Sequence, residues 1–228
     1  MNATLPDDDA DADVRRRVVA ACRHLSAVGL SPGSSGNLSV RIGEHLLVTP
    51  TGSSFARVGP GDLAVVTLDG VAQSGSLSVG AASDGSVLSG RPSKEVPLHR
   101  AVYAARPDAR VVVHLHSPYA AAASCLQLPD GEPTLPPLTP YQVMRFGELP
   151  VAPYAAPGSS ALADGVASLA GRHAALLLAN HGSLAAATDL DSAVDLAEEI
   201  EAAARVALLL RGLPTRTLTQ EQVAALRR

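Results

Sequence analysis

The chain has 228 residues, with 18 Lys plus Arg against 22 Asp plus Glu for a formal net charge of −4, which leaves no electrostatic footprint for nucleic acid. Hydrophobic residues make up 46% and the mean hydropathy is +0.17, so the chain can bury a core and is not disordered. Two Cys cannot form a disulfide framework, and no stretch reaches the roughly 18–20 apolar residues that a membrane span needs.

In chain order, residues 1–13 carry Asp7, Asp8, Asp9, Asp11 and Asp13 without a basic leader, and read as a disordered acidic arm rather than a secretory signal. The protein is therefore expected to be cytoplasmic, with one domain over 14–228. Val18, Ala21, Cys22, Leu25 and Val28 recur at helical spacing and predict a helix over 14–28, stopped by Gly29 and the Ser-Pro-Gly-Ser-Ser-Gly run at 31–36. Alternation in 38–42, a Gly43-Glu44 turn and the apolar 45–49 predict a hairpin. Residues 63–68 form a further strand.

The segment 71–91 is rich in Gly and Ser, and the pattern starting at Asp69-Gly70 recurs fifteen residues later at Asp84-Gly85. It reads as a local duplication lengthening a surface loop, where added length costs little. Helices are expected over 94–105, 118–126 and 160–170, and strands over 111–116, 151–154, 174–179 and 183–187. Pro-rich 129–140 reads as loop. A last long helix begins near Asp191 as its cap, with Leu196, Ile200, Ala203, Ala207 and Leu210 inward and Glu198, Glu199, Glu201 and Arg205 wet. Gly212 and Pro214 end it, and a short helix follows from Gln220. Strands and helices mix along the chain with no linker, which predicts one α/β domain with helices flanking a sheet.

Seven histidines against two cysteines point to imidazole as the metal-binding group, if a metal is held. His114-Leu115-His116 places two imidazoles on one face of a strand, a spacing that can seed a zinc site. His181 follows an apolar strand and precedes Gly182, a position equally suited to a turn or to a third ligand. Glu95 sits in the first helical turn after Pro92-Ser93-Lys94, where ordinary capping by its carboxylate competes with a catalytic role. Gly33-Ser34-Ser35-Gly36-Asn37 and Thr49-Pro50-Thr51-Gly52-Ser53 can wrap a phosphate with backbone N–H groups or serve as plain turns.

Taken together and in order, Gly-Ser-Ser-Gly-Asn, Thr-Pro-Thr-Gly, Pro-Ser-Lys-Glu, His-x-His and Asn-His-Gly resemble the class II aldolase/adducin family over about residues 14–210. Within it, Pro92–Val96, Val113–Ser117, Ser124–Leu126, Thr139–Tyr141 and Leu178–Gly182 resemble the 3-oxo-tetronate 4-phosphate decarboxylases. The resemblance implies a three-layer α/β/α domain with a mixed, mostly antiparallel sheet. It also implies a Zn2+ ion, or another divalent metal such as Mn2+ or Co2+, on Glu95, His114, His116 and His181. Glu95 would be the acid/base. Ser34, Gly36, Asn37, Thr51, Gly52 and Ser93 would bind phosphate, with Lys94 pairing phosphate or a substrate carboxylate. Tyr141 would reach a neighbouring subunit's site in a homotetramer.

The reaction so implied is loss of CO2 from a 3-oxo-tetronate 4-phosphate through a metal-stabilised enediolate, giving dihydroxyacetone phosphate. An aldolase cleaving a fuculose- or ribulose-type phosphate shares that intermediate and is the alternative, with Lys94, where such aldolases carry Ser, the feature against it. An adducin-like binding module without metal is the remote one. His24, His45, His99 and His173 match no ligand position, and His99, one helical turn after Glu95, is the one near the site.

Overall fold

The computed structural model describes residues 8–69, 87–127 and 134–227. The first helix, α1, spans Asp8–Ala27. It starts six residues earlier than the sequence pattern suggests, so residues 8–13, read above as disordered, are helical. Arg15 pairs with Asp11 one turn back at 2.6 Å, which ties the acidic turn to the basic one. Strands β1 (Asn37–Ile42) and β2 (His45–Val48) form the expected hairpin, and Gly43 at φ 58 makes the turn. A single 3-10 turn at Pro60–Asp62 leads into β3 (Ala64–Thr67).

Most of the duplicated segment lies outside the described residues, but its second copy enters an edge strand, β4 (Val87–Ser89), against β3. Helix α2 (Val96–Ala105) precedes β5 (Val111–Leu115), and α3 (Pro118–Ser124) follows directly. Helix α4 (Pro140–Arg145) stands at the end of the stretch read as loop. Its signal is Thr139-Pro140, with the Thr139 hydroxyl accepting from the Gln142 N–H and Pro at the first helical position.

The chain continues through β6 (Val151–Ala152), α5 (Ser160–Ala170), β7 (Ala175–Leu178) and β8 (Gly182–Ala187). The last long helix, α6 (Leu190–Leu210), precedes the short α7 (Gln220–Leu226). Asp189, not Asp191, caps α6 by accepting the Ser192 N–H at 2.8 Å. Helix α6 also corrects its own expected wet face. Glu201 is buried and accepts the Tyr119 and Ala120 N–H groups at 2.9 and 2.7 Å, capping α3, whose own Ser117 does not.

The eight strands form one sheet in the order β4-β3-β2-β1-β5-β8-β7-β6, antiparallel except for β6 beside β7. Helices cover both faces. Val111, Val113, Leu115 and Leu177 pack with α1, α3 and α6, while Val112, Leu176 and Leu178 pack with α2 and α5. Burial on both faces is why Val111–Val113 and Leu176–Leu178 read as unbroken apolar runs rather than alternating ones. The same alternation turns Asn37, Ser39 and His114 toward the α2 side, among aliphatic neighbours. Among the described residues, no helix is long and apolar enough to cross a membrane.

Candidate metal centre

Three elements of the sheet and one helix start converge on a single cluster. His114 is fully buried near the end of β5, and its Nδ1 lies 2.8 Å from the Ser183 carbonyl oxygen. A carbonyl only accepts, so Nδ1 carries the proton and Nε2 is left bare. His116 lies just past the strand end rather than within it, yet its Nε2 approaches that of His114 to 3.0 Å.

His181 enters from the β7–β8 turn, and each residue of Asn180-His181-Gly182 has a backbone reason to be there. Asn180 adopts φ 55, a left-handed conformation that Asn tolerates. The His181 N–H donates to the Leu178 carbonyl at 3.0 Å and to Ser124 Oγ at 3.2 Å, which fixes the turn on α3. At Gly182 a Cβ would fall 2.1 Å from the Leu115 carbonyl oxygen, so no side chain fits.

Glu95 is the N-cap of α2 but does not cap with its side chain. The buried carboxylate turns into the cluster instead. Oε2 accepts from Asn37 Nδ2 at 2.7 Å and lies 3.4 Å from His114 Nε2, and Oε1 lies 3.5 Å from His181 Nε2. The three imidazole centroids are 4.6, 4.7 and 4.9 Å apart, nearly an equilateral triangle with the rings edge to face. One ligand atom from each of Glu95, His114, His116 and His181 lies within 4.8 Å of the others.

The electrostatics suit a cation. Burial, then the neighbouring imidazoles, push His114 well below the ordinary histidine range, and burial also lowers His116 and His181. Neutral rings keep lone pairs for a metal and supply no positive charge of their own. Glu95 Oε1 is buried with no hydrogen-bond partner, an expensive arrangement for a carboxylate unless a cation joins it. Donors around a tetrahedral zinc with bonds near 2.0–2.1 Å stand about 3.3 Å apart, close to the 3.0, 3.4 and 3.5 Å separations of His114–His116, His114–Glu95 and His181–Glu95. The residues fit a divalent metal.

The three polar loops are laced side by side next to Glu95. Leu38 N–H donates to Thr49 Oγ1 at 3.1 Å, Thr51 N–H to the Arg91 carbonyl at 3.1 Å, and Ser93 N–H to the Thr49 carbonyl at 3.2 Å. Ser34, Thr51, Gly52 and Lys94 are exposed along this rim, while Ser93 is buried and its Oγ accepts the Glu95 N–H at 3.2 Å. Lys94 is near enough to depress both His116 and His181. Two of the expected phosphate residues also carry structural duties. Gly36 has φ +83 and a Cβ there would meet the His114 carbonyl oxygen at 2.8 Å. The Asn37 amide is engaged at both ends, by Glu95 and by His99 Nε2, rather than standing open toward the rim.

Sequence and structure agree with known proteins on what this arrangement is. The profile of the class II aldolase and adducin N-terminal domain matches residues 16–208. The chain belongs to the class II aldolase and adducin family. As a class II aldolase family member it is 41% identical over 201 residues to the 3-oxo-tetronate 4-phosphate decarboxylase of Escherichia coli K12, covering 87% of this chain and 88% of that protein. It is 33% identical to the L-fuculose phosphate aldolase of Haemophilus influenzae, over 93% and 91% of the two chains. The crystal structure of YgbL from Klebsiella pneumoniae, described as an aldolase, epimerase or decarboxylase, superposes with a TM-score of 0.84 at 40% identity, covering 95% of this chain and 99% of that one.

Two regions of this family member stand apart from the cluster. Tyr141 lies on α4, which packs against α6 and α7, and its half-exposed ring carries the Arg145 guanidinium at 5.5 Å. Among the described residues no hydrogen bond or ring contact joins it to the four candidate ligands. A groove of about 1420 Å³ runs among α3, α4 and α7 and reaches Ser124 and Asn180, but none of the four candidate ligands lines it. His99, Ser39 and Glu201 are among the buried polar residues whose partners lie far along the chain and are not marked by any local pattern. The signal for His99 was its spacing of four from Glu95.

Proposed function

We propose that this protein is a divalent-metal-dependent carbon–carbon lyase that decarboxylates a 3-oxo-tetronate 4-phosphate to dihydroxyacetone phosphate and CO2. The observation that carries it is Glu95: one oxygen is bonded to Asn37 and the other is unpartnered among three neutral imidazoles. The similarity to decarboxylases of that name supports the substrate class. When bound, zinc or a similar divalent ion supplies Lewis acidity that draws charge toward the ketone oxygen as CO2 leaves.

The chain's own residues do the rest. Glu95 Oε1 takes up a proton from solvent and delivers it, directly or through water, to the carbon that CO2 has left, and Asn37 holds the other oxygen while it does so. Ser34, Gly36, Thr51, Gly52 and Ser93 hold the phosphate at the rim, far from the breaking bond, so that binding there orients the reacting end. Lys94 pairs with the phosphate or the departing carboxylate. Tyr141, exposed on α4, serves the site of a neighbouring subunit in a homotetramer. The enzyme works in the cytoplasm.

Aldol cleavage of a phosphorylated ketose asks the same of Glu95, and the 33% identity to a fuculose phosphate aldolase keeps it as the second reading. Incubating zinc-loaded protein with 3-oxo-tetronate 4-phosphates and with ketose 1-phosphates separates them. CO2 without aldehyde is expected. Aldehyde from a ketose phosphate, with no CO2 from the acids, overturns the decarboxylase. Less than about half an equivalent of divalent metal per chain, with no change on chelation, overturns any lyase.

A further inference from the structure

Behind Glu95 a second polar row runs between α2 and β1. Glu95, His99 and Tyr103 recur every four residues from the start of α2, and Asn37 and Ser39 lie two apart on β1. Four helical residues rise about 6 Å and two strand residues about 6.7 Å, so the two rows stay in step. All five residues are buried. Asn37 Nδ2 donates to Glu95 Oε2 at 2.7 Å, and Asn37 Oδ1 meets His99 Nε2. His99 Nδ1 lies 2.7 Å from Ser39 Oγ, which lies 2.9 Å from the Tyr103 hydroxyl.

The donors and acceptors along this row run in one direction. An ionised Glu95 only accepts, so Asn37 must present its NH2 to it and its oxygen to His99. His99 therefore carries its proton on Nε2. The His99 ring is fully buried and its two nitrogens meet neutral groups, Asn37 and Ser39, so it is neutral, and Nδ1 is bare and accepts the Ser39 hydroxyl proton. Flipping the Asn37 amide would set oxygen against carboxylate and NH2 against N–H, two repulsions at once.

We infer that Asn37, His99 and Ser39 are positioning residues that lock the Glu95 carboxylate, dedicating Oε2 to Asn37 and leaving Oε1 as the oxygen that handles the proton. The inference rests on Glu95 being the acid–base group of the proposed reaction, and its tests are separable from that reading.

In 15N-histidine-labelled full-length protein, the His99 ring, identified by its loss in His99→Gln, is expected to bear a proton on Nε2 and none on Nδ1 at neutral pH. A proton on Nδ1 overturns the inference whether or not the enzyme is a decarboxylase. In CO2 release from a 3-oxo-tetronate 4-phosphate, His99→Asn, which keeps only a group near Nδ1, is expected to lower kcat at least about tenfold with KM little changed. His99→Gln, which restores an N–H near Nε2, recovers most of that loss. Equal kcat for the two variants overturns the positioning role, because a residue that only fills the core would not distinguish them. If neither folds, Ser39→Ala decides. Loss of the Ser39 donor should shift the His99 Nδ1 resonance, with the proton staying on Nε2 where Asn37 holds it, and lower kcat by about threefold or more, and an unchanged ring spectrum and kcat overturn the lock.

Discussion

Two buried glutamates of this chain do opposite work. Glu201 on α6 has both oxygens satisfied by backbone, the Tyr119 N–H at 2.9 Å and the Ala120 N–H at 2.7 Å. Glu95 has Oε2 on Asn37 at 2.7 Å with the His114 nitrogen 3.4 Å away, and Oε1 without a hydrogen bond, the His181 nitrogen 3.5 Å from it. A carboxylate whose lone pairs all have protein donors closes a structural account, here the missing cap of α3. One left half-satisfied beside neutral imidazoles is arranged for something that arrives later, a metal or a proton.

The sharpest way to break this contrast is Glu95→Gln. It should lower CO2 release at least about 10²-fold while the metal-free protein unfolds at the same or higher denaturant concentration, because a half-satisfied buried charge has been removed. A large loss of stability would make Glu95 structural after all. Glu201→Gln should do the reverse: it leaves one α3 N–H facing an NH2 group, costs about 1–3 kcal/mol in denaturant unfolding, and leaves turnover of the folded protein at the wild-type rate.

The smallest effect concerns pH. His99 is depressed from 6.5 to about 3 by burial, so it is neutral in the folded chain while the unfolded chain binds a proton below about 6.5. Its contribution is therefore present above pH 6.5 and is lost as pH falls toward 3, at up to about 1.4 kcal/mol per pH unit. Denaturation of metal-free protein between pH 7.5 and 5 should show that decline together with those of the depressed His114, His116 and His181, and His99→Gln should make the slope shallower by its own share. A slope unchanged by that substitution would mean the ring is not held neutral.

Much of this was legible before any coordinates. The Gly43 turn between alternating runs marked the hairpin, and the apolar spacing of Val18, Cys22 and Leu25 marked α1, because period and turn chemistry are local. Where the reading failed, a distant partner decided. Glu201 looked wet because its neighbours in α6 are charged, but it is claimed by the N-terminus of α3, some eighty residues earlier. Helix α4 went unread because Pro140 was counted with the Pro-rich loop that it ends, although at a first helical position it is a starter. Glu95 looked like an N-terminal cap, and its carboxylate instead crosses to the strands.

By itself, the sequence determined most of the elements and the family and named the four candidate ligands, because helical and strand periods and the ordered motifs are properties of neighbouring residues. Only the tertiary structure decided which oxygen of Glu95 is free, which nitrogen of His114 is bare and what His99 is for. Those answers depend on Asn37, Ser183 and Ser39 reaching across strand pairings and helix packing, contacts between residues far apart in the chain, and no local pattern encodes the direction of a hydrogen bond.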